Sequence, residues 1–265
     1  MIAFAGNSLL CRVALKHTAI DAASFTSIRL ISGALVLWLI VRLRRGSSTA
    51  SGSWISAFAL FAYAAGFSYA YVSLSAATGA LLLFGAVQAT MIGYGLWAGE
   101  RLSLRQSAGL ACAFAGLAGL LLPGASAPPA MGAMLMLGAG AAWAVYSLRG
   151  KGAGDPTSAT AGNFLRAVPF ALLLSAIAFP WGSLDRAGVA YAFISGALAS
   201  GVGYAIWYTA IRGLSATSAA TVQLSVPVIA AIGGVVFLGE SVTMRLLIAA
   251  VAILGGIALV TAGKK

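Results

Sequence analysis

Ten apolar runs, each close to the thickness of a bilayer's hydrocarbon core, follow one another along 265 residues with short connectors between them. They fall at roughly 2–18, 22–42, 53–72, 76–97, 103–122, 130–149, 158–179, 187–211, 216–238 and 243–262. A helix needs about 20 mostly apolar residues to cross a core of ~30 Å, because each residue advances it by about 1.5 Å. The connectors hold the helix breakers: Arg44-Arg45-Gly46-Ser47-Ser48, Pro123-Gly124, Pro128-Pro129, Gly152 to Pro156 and Pro180 to Asp185. The stretch after Met1 has neither a basic n-region nor a small-residue cleavage site, and reads as the first span. Barrel strands would alternate apolar and polar residues over ten-residue segments, a pattern this chain lacks. The expected fold class is an all-α integral membrane protein with ten transmembrane helices.

Composition closes off the soluble alternatives. Charged residues are 8% of the chain and apolar ones 61%, whereas a soluble domain carries about 25% charged residues. Lipid must therefore be most of its solvent. A net charge of +11 would suggest nucleic acid in a soluble protein. Here Lys and Arg sit in connectors, where they set topology, and no nucleic-acid partner is expected. With the N-terminus in the cytoplasm, the inner connectors and tail hold Arg42, Arg44, Arg45, Arg101, Arg105, Arg149, Lys151, Arg212, Lys264 and Lys265. The outer connectors hold Arg12, Lys16, Arg186 and Arg245, so the bias is ten against four. A multi-pass protein of the cell's inner or plasma membrane, with both termini cytoplasmic, follows. Cys11 and Cys112 lie in apolar runs and read as packed small hydrophobes rather than a disulfide.

The chain repeats itself. Without a gap, Ser75-Ala76 aligns with Ser215-Ala216, Ile92-Gly93 with Ile232-Gly233, Gly99-Glu100 with Gly239-Glu240, and Arg105 with Arg245. Nearer the start of each half, Phe25-x-x-x-Arg29 parallels Asn163-Phe164-Leu165-Arg166. Each copy holds five spans, an odd number, so the copies lie in opposite orientations: residues 1–124 form one five-helix repeat and 125–265 its inverted partner. Inverted repeats place a substrate site near the midplane, between the halves.

The stretch Gly6-Asn7-Ser8-Leu9-Leu10-Cys11-Arg12, the spans holding Arg29 and Arg166, and the two Gly-Glu junctions resemble the drug/metabolite transporter superfamily. More narrowly, they resemble its EamA-type members and the YddG-like amino-acid exporters of bacterial inner membranes. The resemblance implies ten helices, a central cavity, cytoplasmic termini, and export of amino acids or other small metabolites by alternating access.

Polar groups inside spans are costly and so mark function or tight structure. Arg29 and Arg166 are the deepest cations, expected on opposite sides of the midplane. One reading has them attract a carboxylate or form a gate. The reading adopted for both is structural: each caps carbonyls or snorkels to hold its repeat together. Glu100 and Glu240 close the fourth and ninth spans and are expected to accept hydrogen bonds at the N-terminus of the following helix. Pro227 falls inside the ninth span, before Gly233-Gly234, and predicts a kink suited to gating.

Tyr63, Phe67 and Tyr71 form one helical stripe. Trp143, Tyr146, Tyr204, Trp207 and Tyr208 are the aromatics of the sixth and eighth spans. Tyr63, Trp143 and Tyr204 lie too deep for an interfacial belt. With Tyr146 and Tyr208, the mid-span polar residues Asn7, Ser8, Gln88, Gln223 and Ser225, and Arg12, they are expected to wall a cavity for an amphipathic zwitterion. The other reading of each polar residue is an interhelical hydrogen bond, worth about 0.6 kcal/mol.

No Asp or Glu lies well inside a span, and His17, the sole histidine, sits near the end of the first. Proton relays through membranes use such groups, so transport down a gradient is the expected energetics. An embedded enzyme would need a nucleophile and base or clustered metal ligands, which the chain lacks. It is therefore expected to be no enzyme and to hold neither cofactor nor metal. Expected partners are lipid and a small-molecule substrate, and a monomer is compatible with the reading. An aromatic or cationic drug and a sugar or nucleotide sugar are the alternative cargoes. The first would call for a buried Glu, the second for more Lys and Arg.

Overall fold

The computed structural model describes residues 1–44, 51–99, 101–150, 155–210 and 222–262. Among them the chain forms ten helices. They are α1 (Ile2–His17), α2 (Ala22–Leu43), α3 (Trp54–Tyr71), α4 (Ala76–Trp97), α5 (Leu104–Leu121), α6 (Ala130–Gly150), α7 (Pro156–Ala178), α8, α9 (Ser225–Leu238) and α10 (Met244–Ala262). The eighth runs Arg186–Ile194, passes through a π-helical stretch, Ser195–Val202, and finishes as Gly203–Ala210. Nothing in the apolar pattern foretold that stretch.

Seven helices are long and apolar enough to cross a membrane by length and composition: α2, α4, α5, α6, α7, α8 and α10. The other three fall short for separate reasons. α1 has 16 residues and carries Arg12 and Lys16, α3 is diluted by Tyr63, Tyr69 and Tyr71, and α9 has 14 described residues. The molecule is an all-helical, multi-pass membrane protein.

Side-chain caps start most of the helices. Ser53, Ser75 and Ser103 cap α3, α4 and α5, the last as a capping box with Gln106. Asp21, Asp155 and Asp185 cap α2, α7 and α8. All three aspartates are thus committed to helix starts. Two of them also lock connectors together. Asp21 Oδ2 accepts from Ser183 N at 3.0 Å, and Asp185 Oδ1 accepts from Ala19 N at 3.1 Å. Burial alone would raise the Asp21 carboxyl, but hydrogen bonds from Ser24, Ser183 and Ala23 outweigh it and hold the group below its ordinary value.

Close approach follows from small residues, as packing without a hydrophobic driving force requires. A Cβ on Gly109 of α5 would lie 2.7 Å from the carbonyl oxygen of Gly256 on α10. A Cβ on Gly196 would run into the Arg29 carbonyl, so α8 lies hard against α2. Other neighbouring pairs are α2 with α7, α3 with α6, α3 with α7, α4 with α6, α1 with α8 and α1 with α9. Gly99 and Gly239, after α4 and α9, both adopt left-handed backbone, with φ of 92° and 61°.

One expectation is refined here and one corrected. The irregularity expected at Pro227 falls just before it: Pro227 sits in the first turn of α9, and a turn at Leu224 separates that helix from helical Val222 and Gln223. The ring of a helical proline collides with the carbonyl four residues back, here that of Gln223, so the helix restarts beyond it. Cys112 is exposed on α5, while Cys11 is buried in the core; neither is in a disulfide.

Candidate functional site

Aromatic and polar side chains converge in the middle of the bundle. Phe4, Asn7 and Ser8 of α1, Tyr63 and Phe67 of α3, Leu83 and Phe84 of α4, Trp143 of α6, Tyr204 of α8 and Gln223 enclose a cavity of about 20 Å³. That is room for roughly one water. The rings are in contact: centroid to centroid, Trp143 lies 4.8 Å from Tyr63 in a tilted arrangement and 5.1 Å from Tyr204 edge to face, and Phe4 meets Tyr204 edge to face at 5.7 Å. The expected stripe on α3 is in ring contact, with Phe67 tilted against Tyr63 at 5.5 Å and edge to face with Tyr71 at 4.7 Å.

A polar chain runs along one wall. Asn7 Nδ2 donates to the Tyr63 hydroxyl at 3.5 Å, and Asn7 Oδ1 accepts from Ser195 Oγ at 2.6 Å. Arg29 Nη2 donates to the same Tyr63 hydroxyl at 3.1 Å, and Arg29 Nε donates to Ser200 Oγ at 3.1 Å. The π-helical stretch accounts for both serines facing this wall. Five residues make about 1.4 turns of an α-helix, but i→i+5 bonding brings them nearly into line.

Arg12 and Glu240 do not behave as the sequence led us to expect. Arg12 is neither a connector charge nor a cavity residue. It is buried in α1, with Nε 2.8 Å from Glu240 Oε1 and Nη1 donating to the carbonyls of Tyr71 and Val72. Glu240 Oε2 accepts from Ala76 N at 2.7 Å. It therefore caps the start of α4, not the helix that follows it in sequence. The positive end of α4 and the guanidinium together neutralise the carboxylate.

The remaining candidates scatter. Gln88 lines a separate small cavity between α4, α5 and α10. Tyr146 is buried with its ring 5.5 Å from Trp143. Ser225 Oγ donates to the Val222 carbonyl and is not among the residues around the cavity. Arg166 is half-buried and donates from Nη1 to the Gly162 carbonyl of its own helix. Glu100 and the Tyr208 side chain lie outside the described residues. Phe4, Phe84, Ser195 and Ser200 were not singled out by sequence. The one available signal was serine five apart in a Gly/Ala-rich stretch.

A model of the EamA-like transporter family matches residues 130–262. A Pseudomonas aeruginosa protein, PA1977, is 60% identical over 263 residues, 99% of this chain and 92% of its own length. The threonine/homoserine exporter RhtA of Salmonella typhimurium is 36% identical over 118 residues, 42% of this chain and 39% of its own. The Escherichia coli exporter of that name is 35% identical over 129 residues, 46% and 42% of the two chains. The matches thus span less than half the length of those exporters. A protein crystal structure shares the fold with a TM-score of 0.68 and 20% identity, over 98% of this chain and 96% of its own.

Proposed function

This chain belongs to the EamA-like transporter family, and we propose that its cargo is a neutral amino acid, exported by alternating access through the cavity between α1, α3, α6 and α8. The observation that carries the reading is the cavity wall. Aromatic faces from Trp143 and Tyr204 oppose the amide of Asn7 and the hydroxyl of Tyr63 in the interior of the bundle. Such walls suit a small amphipathic zwitterion, whose carbon skeleton packs on rings while its polar ends meet amide and hydroxyl groups. Partial similarity to threonine/homoserine exporters supports an amino acid as the cargo and export as the direction.

Neighbouring helices support the division into inverted halves, 1–124 and 125–265. A shift of five helices exchanges α3–α6 with α8–α1, α4–α6 with α9–α1, and α2–α8 with α7–α3. The same shift returns α2–α7 and α5–α10 to themselves. Left-handed Gly99 and Gly239 end corresponding helices. A seam between such halves is where transporters hold substrate. As it stands, the cavity holds about one water, so loading requires the halves to rock apart. The Arg12–Glu240 pair, which ties α1 to the end of α9 and the start of α4, is our candidate for the gate at that end.

With Arg12 withdrawn from the connectors, the charge bias becomes ten against three. It supports cytoplasmic termini and an inner-membrane location. The test is competition of a panel of solutes against one labelled neutral amino acid in proteoliposomes of the purified protein. Inhibition by neutral amino acids supports the reading. Failure of every amino acid to enter or compete removes it and leaves drugs or sugars as the cargo class.

A further inference from the structure

Two arginines among the described residues are at least nine-tenths buried, and they are treated very differently. Arg12, 8% exposed, has a carboxylate at 2.8 Å and two backbone carbonyls. It illustrates how this fold satisfies a buried guanidinium used for structure. Arg29 is 1% exposed, and no carboxylate of a described residue lies within ion-pair distance of it. Its partners are two hydroxyls, on Ser200 and Tyr63, and the faces of two rings, Tyr63 at 5.2 Å and Phe67 at 5.0 Å. Nη1 is buried and has no hydrogen-bond partner among the described residues.

A full positive charge in the middle of a membrane protein is costly without a counter-charge. Hydroxyls and ring faces soften that cost without cancelling it. A purely structural tie between α2, α3 and α8 could be made by a neutral side chain at far less cost. The charge makes sense when an anion arrives.

The surroundings say where it would arrive. Tyr63 and Phe67, whose rings cover the guanidinium, are themselves walls of the cavity. The Tyr63 hydroxyl accepts from both Arg29 and Asn7, so its own proton is left to be donated elsewhere. An acceptor that reaches this hydroxyl meets its free proton, and the buried guanidinium behind it, with Nη1 unpartnered among the described residues, supplies the positive charge that suits a carboxylate.

We propose that Arg29 and Tyr63 form an anion subsite behind the cavity wall, one that takes the carboxylate of the transported solute. This rests on the amino-acid reading above and narrows it: the cargo enters carboxylate first, and a cationic drug is repelled. It also revises the structural role that the sequence suggested for Arg29, while Arg166, half-buried and bonded to its own helix, keeps that role.

The experiment uses the full chain in proteoliposomes with labelled L-threonine as the probe. The competitors are unlabelled threonine, N-acetylthreonine (carboxylate without amine) and threoninol (amine without carboxylate). For the wild type, threoninol should compete at least about tenfold more weakly than threonine, and N-acetylthreonine should remain a competitor. In Arg29→Gln that preference should collapse towards parity, with Arg29→Lys intermediate. Equal competition by threoninol in the wild type, or an undiminished preference in Arg29→Gln, would overturn the subsite while leaving amino-acid transport intact. Should Arg29→Gln fail to fold, Tyr63→Phe decides: a narrowed preference supports the subsite, and an unchanged one refutes it. If no amino acid moves or competes, the underlying reading has failed, and the subsite is judged alone by melting in detergent. Simple carboxylates such as lactate should then raise the wild-type Tm and leave that of Tyr63→Phe less affected; no rise in the wild type would end the proposal.

Discussion

Arg12 Nε lies 2.8 Å from Glu240 Oε1, joining the first helix to the end of the ninth across 228 positions of sequence. The other carboxylate oxygen holds the first turn of α4 through Ala76 N. One ion pair therefore ties three helices at one end of the bundle. Its side chains are 10% and 7% exposed, so solvent does little to screen it.

Removing one partner leaves the other charge stranded in a buried setting. Arg12→Ala or Glu240→Ala should each cost about 3–5 kcal/mol of stability, and the double variant should cost less than the sum of the two. Thermal melting of the four proteins in one detergent checks this; simple additivity would show that the pair is not coupled.

Glycine at the tightest crossings should be irreplaceable. Gly196→Ala drives a methyl group into the Arg29 carbonyl, and Gly256→Ala drives one into that of Gly109. Each should destabilise by about 1–3 kcal/mol. Gly138→Ala, on an exposed face of α6 with nothing within 4 Å, should be neutral or slightly stabilising. Ranking the three by Tm is sufficient, and equal effects would refute the packing argument.

The Asp21 clasp carries a pH signature. Its folded-state value lies below the ordinary one, so the clasp adds stability above the unfolded pKa of about 3.9 and loses it as pH falls through the folded value. Wild type and Asp21→Asn should therefore differ in Tm by a constant amount at neutral pH. The two curves should converge only in acid, below about pH 4. A gap that closes between pH 6 and 8 would contradict the assignment.

Ring walls should matter for affinity. Trp143→Phe keeps an aromatic core but shortens the contact with Tyr63 and Tyr204. Loss of one such contact is worth about 0.5–1.5 kcal/mol, so KM for the carried amino acid should rise about 2–10-fold with membrane insertion unchanged. Flux measurements over a substrate range separate KM from the maximal rate. An unchanged KM would remove Trp143 from the wall.

Transport should run without stoichiometric proton movement. The three aspartates cap helices, Glu240 is paired, and no described carboxylate is left in the cavity. A pH dye inside the liposomes should report no proton flux matched to substrate flux. A one-to-one collapse of an imposed pH gradient would show coupling through a group outside this account.

Much of the architecture was legible because the evidence for it is local. Span length follows from apolar run length, and the serine and aspartate caps stand where the runs begin. Gly99 and Gly239 were legible as helix ends because left-handed backbone at such a position favours glycine. The deep aromatics Tyr63, Trp143 and Tyr204 were legible for a similar reason: a phenol or indole far from the interface needs a polar partner. What misled was distance along the chain. Arg12 looked like a connector charge because its neutralising Glu240 is 228 positions away. Gln88 looked like a cavity residue because depth alone does not say which face of α4 a side chain leaves from, and it leaves towards α5 and α10.

Sequence alone, then, determined that this chain lives in lipid, crosses it many times and carries aromatic and polar side chains at depth, since burial in a bilayer is governed by run length and composition. Tertiary structure alone decided which of those groups meet. It matched Arg12 with Glu240, bent α8 into a π-helical stretch so that Ser195 and Ser200 share a wall, and left Arg29 beside Tyr63 with no carboxylate of a described residue in reach. The physical reason is that a helix's periodicity orients its own side chains but says nothing about its neighbours. A buried charge takes its meaning from the neighbours it is given.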